Sequence, residues 1–361
     1  MLRKGFTWTG YILFLFIVTE AAARIALSSS GLLDHIALNN DPIWRLRWVL
    51  QTRSQADDIY TSIDDHHPRR GWTLKPGLRD VEMKQQDRTW KVNTNSQGLR
   101  GTAEYAVRKR TTRIAVYGDS FTFGEEVNDD QTYAYQLQQQ LFPDSEVLNF
   151  GIHGYGHDQI YLYMQETLDN YDPDIVILGY IRDDARRNMR QFRGFAKPKF
   201  VADDQSTNGL KLLGTPVPTR AAVFEREVYR PKILDVVEIL HAQYAEWTGE
   251  AAADLERVTL RLLSAMQKLV EDRNGIFLLV YLPHSEDLLF PNEAWIGRQV
   301  YERFCERSSR CLDLRDELAY RRFKGEPIKA PGHWHANGHR LVAELVARHL
   351  KGGVLKRRDH T

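Results

Sequence analysis

Short apolar runs alternate with amphipathic segments from residue 112 onward, and this alternation constrains the fold more than any other feature. The runs have the length of buried strands, and the segments between them have the length of helices. Strands that alternate with helices are typical of a parallel sheet covered on both faces. The sequence therefore predicts an α/β domain over 112–350. Its five strands are predicted in "TRIAVYG", "SEVLNFGI", "PDIVILGYI", "IFLLVYLP" and "CLDL".

Smaller units are predicted around this domain. Residues 28–70 contain a helix around "DPIWRLRWVL" and then a linker, and 71–111 form a strand-rich lead-in with alternating apolar and polar residues. An insertion at 190–250 interrupts the domain with a hairpin, whose tip is Asn208-Gly209, and a helical segment. Residues 351–361 are a basic tail.

The N-terminal segment 1–27 has the pattern of an export or anchoring sequence. Arg3 and Lys4 precede an apolar run from Tyr11 to Val18, and three alanines follow. Cleavage of a signal peptide after those alanines and an uncut anchor that reaches about Leu27 both fit, and a buried soluble helix is the third interpretation. The apolar run is shorter than the roughly 20 residues that a transmembrane helix needs. The flanking Trp8 nevertheless favours a membrane anchor. In the first two cases the chain is extracytoplasmic, in the periplasm or at the cell surface.

The cysteines bear on the redox compartment of the protein, and the net charge bears on its binding partners. Cys305 and Cys311 are close enough in sequence for a disulfide, which would persist outside the cytosol, and two free thiols are the alternative. The formal net charge of +1 gives no support to a nucleic-acid partner.

Polar and glycine-rich segments follow three of the predicted strands. Gly118-Asp119-Ser120 follows the first strand, "NFGIHGYG" the second and "GYIRDD" the third, while "GHWHANGH" opens the last helix. Ligands of open parallel sheets bind at the carboxyl ends of the strands, so these segments should converge at one edge. For Ser120 alone, two interpretations remain: a tight turn, or a serine held where it can attack a substrate.

Three of these blocks, "GDSFTFG", "NFGIHGYG" and "GHWHANGH", resemble in order the blocks of the SGNH (GDSL-type) hydrolases. The resemblance covers about 112–350. It implies a three-layer, flavodoxin-like fold and ester hydrolysis or acyl transfer without a metal or an organic cofactor. It also implies that Ser120 is the nucleophile, that His333 is its base, and that the amides of Ser120 and Gly154 form the oxyanion hole.

Two positions depart from the family pattern. Asp183 stands where the family has an asparagine that donates to the oxyanion, and an ionised carboxylate would repel that charge. Asp183 is a candidate third donor of the oxyanion hole in its protonated form, and Asn188 and Arg182 are the alternative donors. Secondly, Ala330 and Pro331 stand where the family has an aspartate that orients the base. A backbone carbonyl, Glu326 or Asp316 are the alternatives there.

Substrate-binding residues are the remaining candidates near the site. Asp119, Arg182 and Trp334 are predicted to contact substrate, with Trp334 stacking on a sugar ring. His333, His335 and His339 form an H-x-H-x3-H pattern, which is the basis for a rival interpretation as a metal site.

The sequence thus predicts an exported, membrane-tethered serine esterase or O-acyltransferase that acts on an ester, such as an acylated cell-surface saccharide. The departures from the family pattern support an alternative, a catalytically degenerate protein that binds glycans or assists assembly. A metal-dependent hydrolase built on the histidines is the second alternative.

Overall fold

The structure is a computed structural model of the 361-residue chain, and it describes residues 2–35, 41–51, 61–85, 87–106, 109, 111–141, 145–290, 293–328 and 332–354. The strands are β1 (Asp64–His67), β2 (Gly71–Leu74), β3 (Val81–Gln85), β4 (Arg88–Val92), β5 (Arg113–Gly118), β6 (Glu146–Gly151), β7 (Ile175–Tyr180), β8 (Lys199–Ala202), β9 (Leu210–Leu213), β10 (Ile276–Tyr281) and β11 (Cys311–Asp313). The helices are α1 (Leu2–Leu27), α2 (Ser30–His35), α3 (Asp41–Gln51), α4 (Ser120–Phe123), α5 (Tyr133–Leu141), α6 (His157–Tyr171), α7 (Arg182–Arg187), α8 (Arg220–Tyr229), α9 (Lys232–Thr248), α10 (Glu250–Glu271), α11 (Ser285–Leu289), α12 (Ile296–Cys305), α13 (Arg315–Phe323) and α14 (Ala336–His349).

The central sheet consists of the five strands that the sequence predicts. Its order is β11-β10-β7-β5-β6, and every neighbouring pair is parallel. The chain enters the sheet at β5, forms the neighbouring edge strand β6, and then crosses β5 to add β7, β10 and β11 toward the other edge, which is the flavodoxin-like order. The predicted three-layer α/β fold is confirmed. In such sheets the crevice between the first and third strands, here β5 and β7, lies at the reversal of strand order and receives the ligand.

Both faces of the sheet are buried because alternate residues of each strand join different cores. In β5, Ala115 and Tyr117 pack into one apolar cluster with α6, α10 and α12, whereas Ile114 and Val116 pack into a second cluster with α5 and α14. All six residues of β5 are buried, and so are all six of β7. A strand that is buried on both faces has no polar face to show, which is why these strands are continuous apolar runs in the sequence.

The lead-in forms two antiparallel hairpins, β1-β2 and β3-β4. Trp72 and Trp90 from these hairpins belong to the larger apolar cluster of the α/β domain. The first hairpin begins at Asp64, before the boundary at residue 71 that the sequence suggested. The insertion contains the hairpin β8-β9 and the helices α8 and α9, as the sequence pattern predicts.

Helix α1 has the length and composition of a membrane span from Trp8 to Leu27, with a mean hydropathy of 1.8. Its apolar run is exposed, while Ala23 and Leu27 are buried toward the C-terminal end of the helix. Glu20 accepts hydrogen bonds from the amides of Lys232 and Ile233, each 3.0 Å long. This part of α1 is therefore fixed to the start of α9.

Cys305, the last residue of α12, forms a disulfide with Cys311, the first residue of β11, and their Cα atoms are 5.8 Å apart. Of the two alternatives that the sequence left open, the structure has the disulfide.

Candidate active site

Ser120 is the first residue of the short helix α4, directly beyond the carboxyl end of β5. Asp119 caps this helix, because its Oδ1 accepts a hydrogen bond of 3.0 Å from the Phe121 amide. Gly118 is required for space and not for an unusual backbone angle. A Cβ atom there would lie 2.1 Å from Oγ1 of Thr122. The glycine thus lets α4 fold back against the end of the strand that delivers the serine.

The hydroxyl of Ser120 lies against the imidazole of His333. Ser120 Oγ and His333 Nε2 are 2.8 Å apart, and on the other side of the ring Nδ1 is 3.1 Å from Oε1 of Glu126. A carboxylate only accepts, so Nδ1 carries the proton and Nε2 is left to accept from the serine. The serine hydroxyl also has a longer contact, 3.2 Å, with Oδ2 of Asp119. Ser120, His333 and Glu126 therefore have the geometry of a nucleophile, its base and an orienting acid.

Glu126 was not predicted from the sequence. Its backbone is in the left-handed region, with φ 68°, and its side chain is almost fully buried. Arg88 from β4 donates to Oε2 over 2.9 Å, and Gly332 makes room for the carboxylate, since a Cβ there would lie 2.6 Å from Oε1. Burial raises the pKa of Glu126, but the hydrogen bonds and charge of His333, with the charge of Arg88, outweigh it and lower the pKa. The carboxyl is therefore ionised at neutral pH.

The acids that the sequence suggested are elsewhere. Glu326 pairs with Arg321 at 3.1 Å. Asp316 is an exposed residue in the first turn of α13. Ala330 and Pro331, which replace the family's aspartate, lie outside the described residues.

A cavity of about 490 Å³ opens at Ser120 and His333. Its walls come from the carboxyl ends of four strands, through Ser120, Gly154, Asp183 and His284. His284, which follows β10, was not predicted from the sequence. Segments outside the five-stranded sheet and its covering helices also line the cavity. They contribute Trp44 of α3, Trp72 of β2, and the segment from Arg193 to Phe195. The cavity has a size typical of small-molecule sites.

The two amides predicted for the oxyanion hole both belong to residues of the cavity wall. Gly154 has φ 77°, which favours glycine, and a Cβ there would lie 3.3 Å from the Trp72 ring. In the part of the chain that the structure describes, neither the Ser120 amide nor the Gly154 amide donates a hydrogen bond to another protein group. Free amide donors beside a nucleophile are what a developing oxyanion requires.

Asp183, in the first turn of α7, lines the cavity at the position predicted from the sequence. The two alternative donors, Asn188 and Arg182, do not line the cavity. Asn188 is buried, and its side chain accepts from the Asp158 amide and donates to Thr259. Arg182 is ion-paired with Glu286 and lies over the ring of Trp295, 4.0 Å from its centroid.

The other two predicted substrate-binding residues, Asp119 and Trp334, also make contacts within the protein and do not line the cavity. Asp119 is fully buried, and its Oδ2 accepts from Arg187 over 2.8 Å. Trp334 is also fully buried: its ring packs on Phe121, and its Nε1 donates to the Pro283 carbonyl over 3.2 Å. Both were predicted from their position next to a site residue in sequence. Consecutive residues point in different directions, so neighbours of Ser120 and His333 face the core.

The three histidines of the H-x-H-x3-H pattern have three different surroundings. His333 contacts Ser120 and Glu126, and His335 lies 2.8 Å from Nη2 of Arg88. His339 accepts from the Tyr133 amide in the core, where burial lowers its pKa to about 3. Within the described ranges, no group of three or more His, Cys, Asp or Glu side chains is arranged to hold a metal ion.

Basic side chains in the cavity wall are neutralised to different degrees. Burial alone would lower the pKa of His153, but Asp64, whose carboxylate oxygens lie 2.8 Å from Nε2, raises it to about 9. Arg187 contacts Asp119 at 2.8 Å and Asp184 at 2.7 Å. Burial and the neighbouring Asp119 raise the pKa of Asp184 well above its usual value. His153 and Arg187 thus line the cavity, and each is paired with a buried carboxylate.

No family model matches the chain, and no curated protein matches it. Solved structures do match at low identity. The chain resembles known esterases. A member of the lipolytic protein G-D-S-L family from Veillonella parvula DSM 2008 is 12% identical over 65% of this chain and 96% of its own length, with a TM-score of 0.39. An acetylxylan esterase from Geobacillus stearothermophilus is 15% identical over 67% and 95%, with a TM-score of 0.38.

A third match is the psychrotrophic esterase EstA from Pseudoalteromonas sp., which is 11% identical over 67% of this chain and 98% of its own, with a TM-score of 0.40. At this level of likeness, the assignment of an activity to this chain rests on the geometry of its own site.

Proposed function

We propose that this protein is an SGNH-type serine esterase in which Ser120, His333 and Glu126 form the catalytic triad. One observation carries the proposal: the Ser120 hydroxyl is 2.8 Å from an imidazole nitrogen whose opposite nitrogen faces a buried carboxylate. A serine hydroxyl attacks an ester only when a base removes its proton, and this contact supplies the base. Glu126 takes the place of the family's aspartate and removes one reason for regarding the site as degenerate.

The reaction follows from these positions. His333 Nε2 takes the proton of Ser120 as Oγ bonds to the ester carbonyl carbon, and the amides of Ser120 and Gly154 hold the resulting oxyanion. The imidazolium then gives its proton to the departing alkoxide, which leaves an acyl-serine. Water attacks the acyl carbon with His333 as base, and the products are a carboxylic acid and free Ser120. If a sugar hydroxyl replaces that water, the same steps perform acyl transfer.

We further propose that the protein works outside the cytoplasm on an acylated saccharide, tethered by α1. The apolar, exposed run of α1 supports the tether, and the Cys305–Cys311 disulfide fits an oxidising compartment. Trp44 in the cavity wall is only partly buried, and its ring is a flat apolar surface of the kind on which sugar rings stack.

Labelling with a fluorophosphonate probe, together with hydrolysis of 4-nitrophenyl acetate, tests the esterase proposal. We expect Ser120 to be labelled, and Ser120→Ala and His333→Ala each to lower kcat by roughly 10⁴-fold or more. Ser309→Ala changes an exposed serine and serves as the matched control. A folded wild-type protein that neither labels nor hydrolyses the ester would instead support the non-catalytic, glycan-binding alternative.

A further inference from the structure

One corner of the cavity lies beside the glycine of the proposed oxyanion hole. It is formed by Trp72, Arg193 and Phe195, which we call the Arg193 corner. The Trp72 and Phe195 ring centroids are 5.4 Å apart, and Trp72 Nε1 donates to the His153 carbonyl over 3.0 Å. Arg193 Nη1 donates to the Gly154 carbonyl over 3.1 Å. The corner is thus attached to the 153–154 loop, next to the place where an ester carbonyl would lie.

Arg193 differs from the other cations of the wall in its ionic partners. His153 is paired with Asp64, and Arg187 with two carboxyl groups. Arg193, by contrast, has no carboxylate within 4.0 Å in the ranges that the structure describes. Burial first, and then the charge of Arg187, lower its pKa to about 9, so it is still a cation at neutral pH.

Two carboxylates in the wall do not cancel this charge. Asp183 acts on Arg187 and Arg190, and Glu125 acts on His153, whereas neither is among the principal charges that act on Arg193. Asp119 and Asp184 partly offset the charge of Arg193, but both contact Arg187 and neither forms an ion pair with Arg193 in the ranges that the structure describes. A largely buried guanidinium without a directly paired anion is costly, and a bound carboxylate would offset that cost with two parallel hydrogen bonds.

We propose that the Arg193 corner binds a carboxylate on the alcohol portion of the substrate, so that the natural substrate is an acylated acidic saccharide. This inference rests on the proposed esterase function and adds its substrate class. Arg193 binds the carboxylate, and the ester carbonyl lies between the Ser120 hydroxyl and the Gly154 amide. An arginine that instead donated to the oxyanion would act equally on every ester, and the kinetics separate these two roles.

Two esters that differ only in the carboxylate test the assignment: an acetylated methyl glucuronoside and the corresponding acetylated methyl glucoside. We expect the wild type to have at least a tenfold higher kcat/KM for the acidic ester. Arg193→Gln should raise KM for the acidic ester by about tenfold, and should affect the neutral ester far less. Arg186→Gln removes an exposed arginine of the adjacent helix and should leave both esters as in the wild type. An equal loss on both esters, or no preference in the wild type, overturns the proposal.

Binding to Ser120→Ala protein separates this inference from the esterase proposal, because it needs no turnover. Calorimetry should detect an acidic hexuronate oligosaccharide but not its neutral glucose counterpart, and adding Arg193→Gln should abolish the heat of binding. If the wild type hydrolyses no ester while this difference persists, the esterase proposal fails and the Arg193 corner stands. If the acidic oligosaccharide does not bind, or binds equally with and without Arg193, the corner is not an anion site.

Discussion

Glu126 lies beside His333 in the position for which the sequence offers no aspartate. An acid that orients a catalytic histidine must be buried, accept from Nδ1, and remain ionised at working pH. Glu126 is 3.1 Å from Nδ1, is held by Arg88, and has a lowered pKa. In the proposed triad, the acid therefore comes from the loop after α4, and not from the segment that carries the histidine.

We expect Glu126→Ala to lower kcat for 4-nitrophenyl acetate by roughly 10²- to 10⁴-fold with a smaller effect on KM, because the imidazole loses its orientation and its counter-charge. Steady-state kinetics on protein with unchanged circular dichroism measures this. Glu326→Ala removes an acid that the sequence suggested for the same role and that pairs with Arg321 instead. It should retain wild-type kcat. A Glu326 variant that loses as much activity as the Glu126 variant would contradict this assignment.

His153 should make stability depend on pH. Asp64 raises its pKa from 6.5 to about 9, so the stabilisation is complete below about pH 6.5 and is lost as the pH rises through 9. A shift of this size corresponds to roughly 3 kcal/mol. We expect His153→Gln to be destabilised at pH 6 and to approach the wild type by pH 9.5, measured by urea unfolding. The control His241→Gln changes an exposed residue of α9. If the difference in the free energy of unfolding between wild type and His153→Gln stays constant from pH 6 to 9.5, the ion pair is not its source.

The sequence could bring Ser120, His333 and Gly154 together in one candidate site because each belongs to a short block of residues that resembles a known pattern. It could not predict Glu126, whose role depends on a contact with a residue 207 positions away and on room left by Gly332. The only local signal was a pair of glutamates directly after the GDS block. The prediction that Asp119, Arg182 and Trp334 contact substrate relied on closeness in sequence to site residues. Closeness in sequence does not determine the direction in which a side chain points.

At the scale of elements, the cavity depends on segments that lie outside the regular α/β pattern. The lead-in contributes Trp72, helix α3 contributes Trp44, and the start of the insertion contributes Arg193. The five strands and their helices were predictable from apolar periodicity, because both faces of the sheet are buried. The packing of the hairpins and the insertion around the cavity could not be predicted, because tertiary contacts alone determine that packing.

Lys197 joins the insertion to α6. It is fully buried, pairs with Asp158, and donates to the carbonyls of Arg190 and Pro198 at 3.0 and 2.9 Å. We expect Lys197→Met to destabilise the protein by about 3–5 kcal/mol in urea unfolding, because Asp158 would remain buried without its partner. Adding Asp158→Leu should recover part of that loss. The exposed Lys211 of β9 provides the control Lys211→Met. A double variant less stable than Lys197→Met would show that the unpaired carboxylate is not the cause.

At the scale of the whole molecule, the contacts of α1 bear on the proposal that this helix is a retained anchor. Glu20 caps the first amides of α9, and Ala23 and Leu27 are buried. Cleavage after Ala23 would remove Glu20 and leave the start of α9 without this cap, at a cost of about 1 kcal/mol. A segment that serves only for export has no reason to make such contacts. These contacts support the proposal that α1 is retained as an anchor.

We therefore expect the full-length protein to remain in the membrane fraction after an alkaline carbonate wash, with an intact mass that includes α1. A truncation that starts at Thr19 removes the exposed apolar run but keeps Glu20, so it should be soluble and should hydrolyse 4-nitrophenyl acetate with wild-type kcat. A second truncation that starts at Ser28 also removes the contacts with α9. It should be soluble as well, but unfold at a lower temperature than the first. A mature protein whose mass begins after Ala23, or two truncations of equal stability, would favour a cleaved signal peptide.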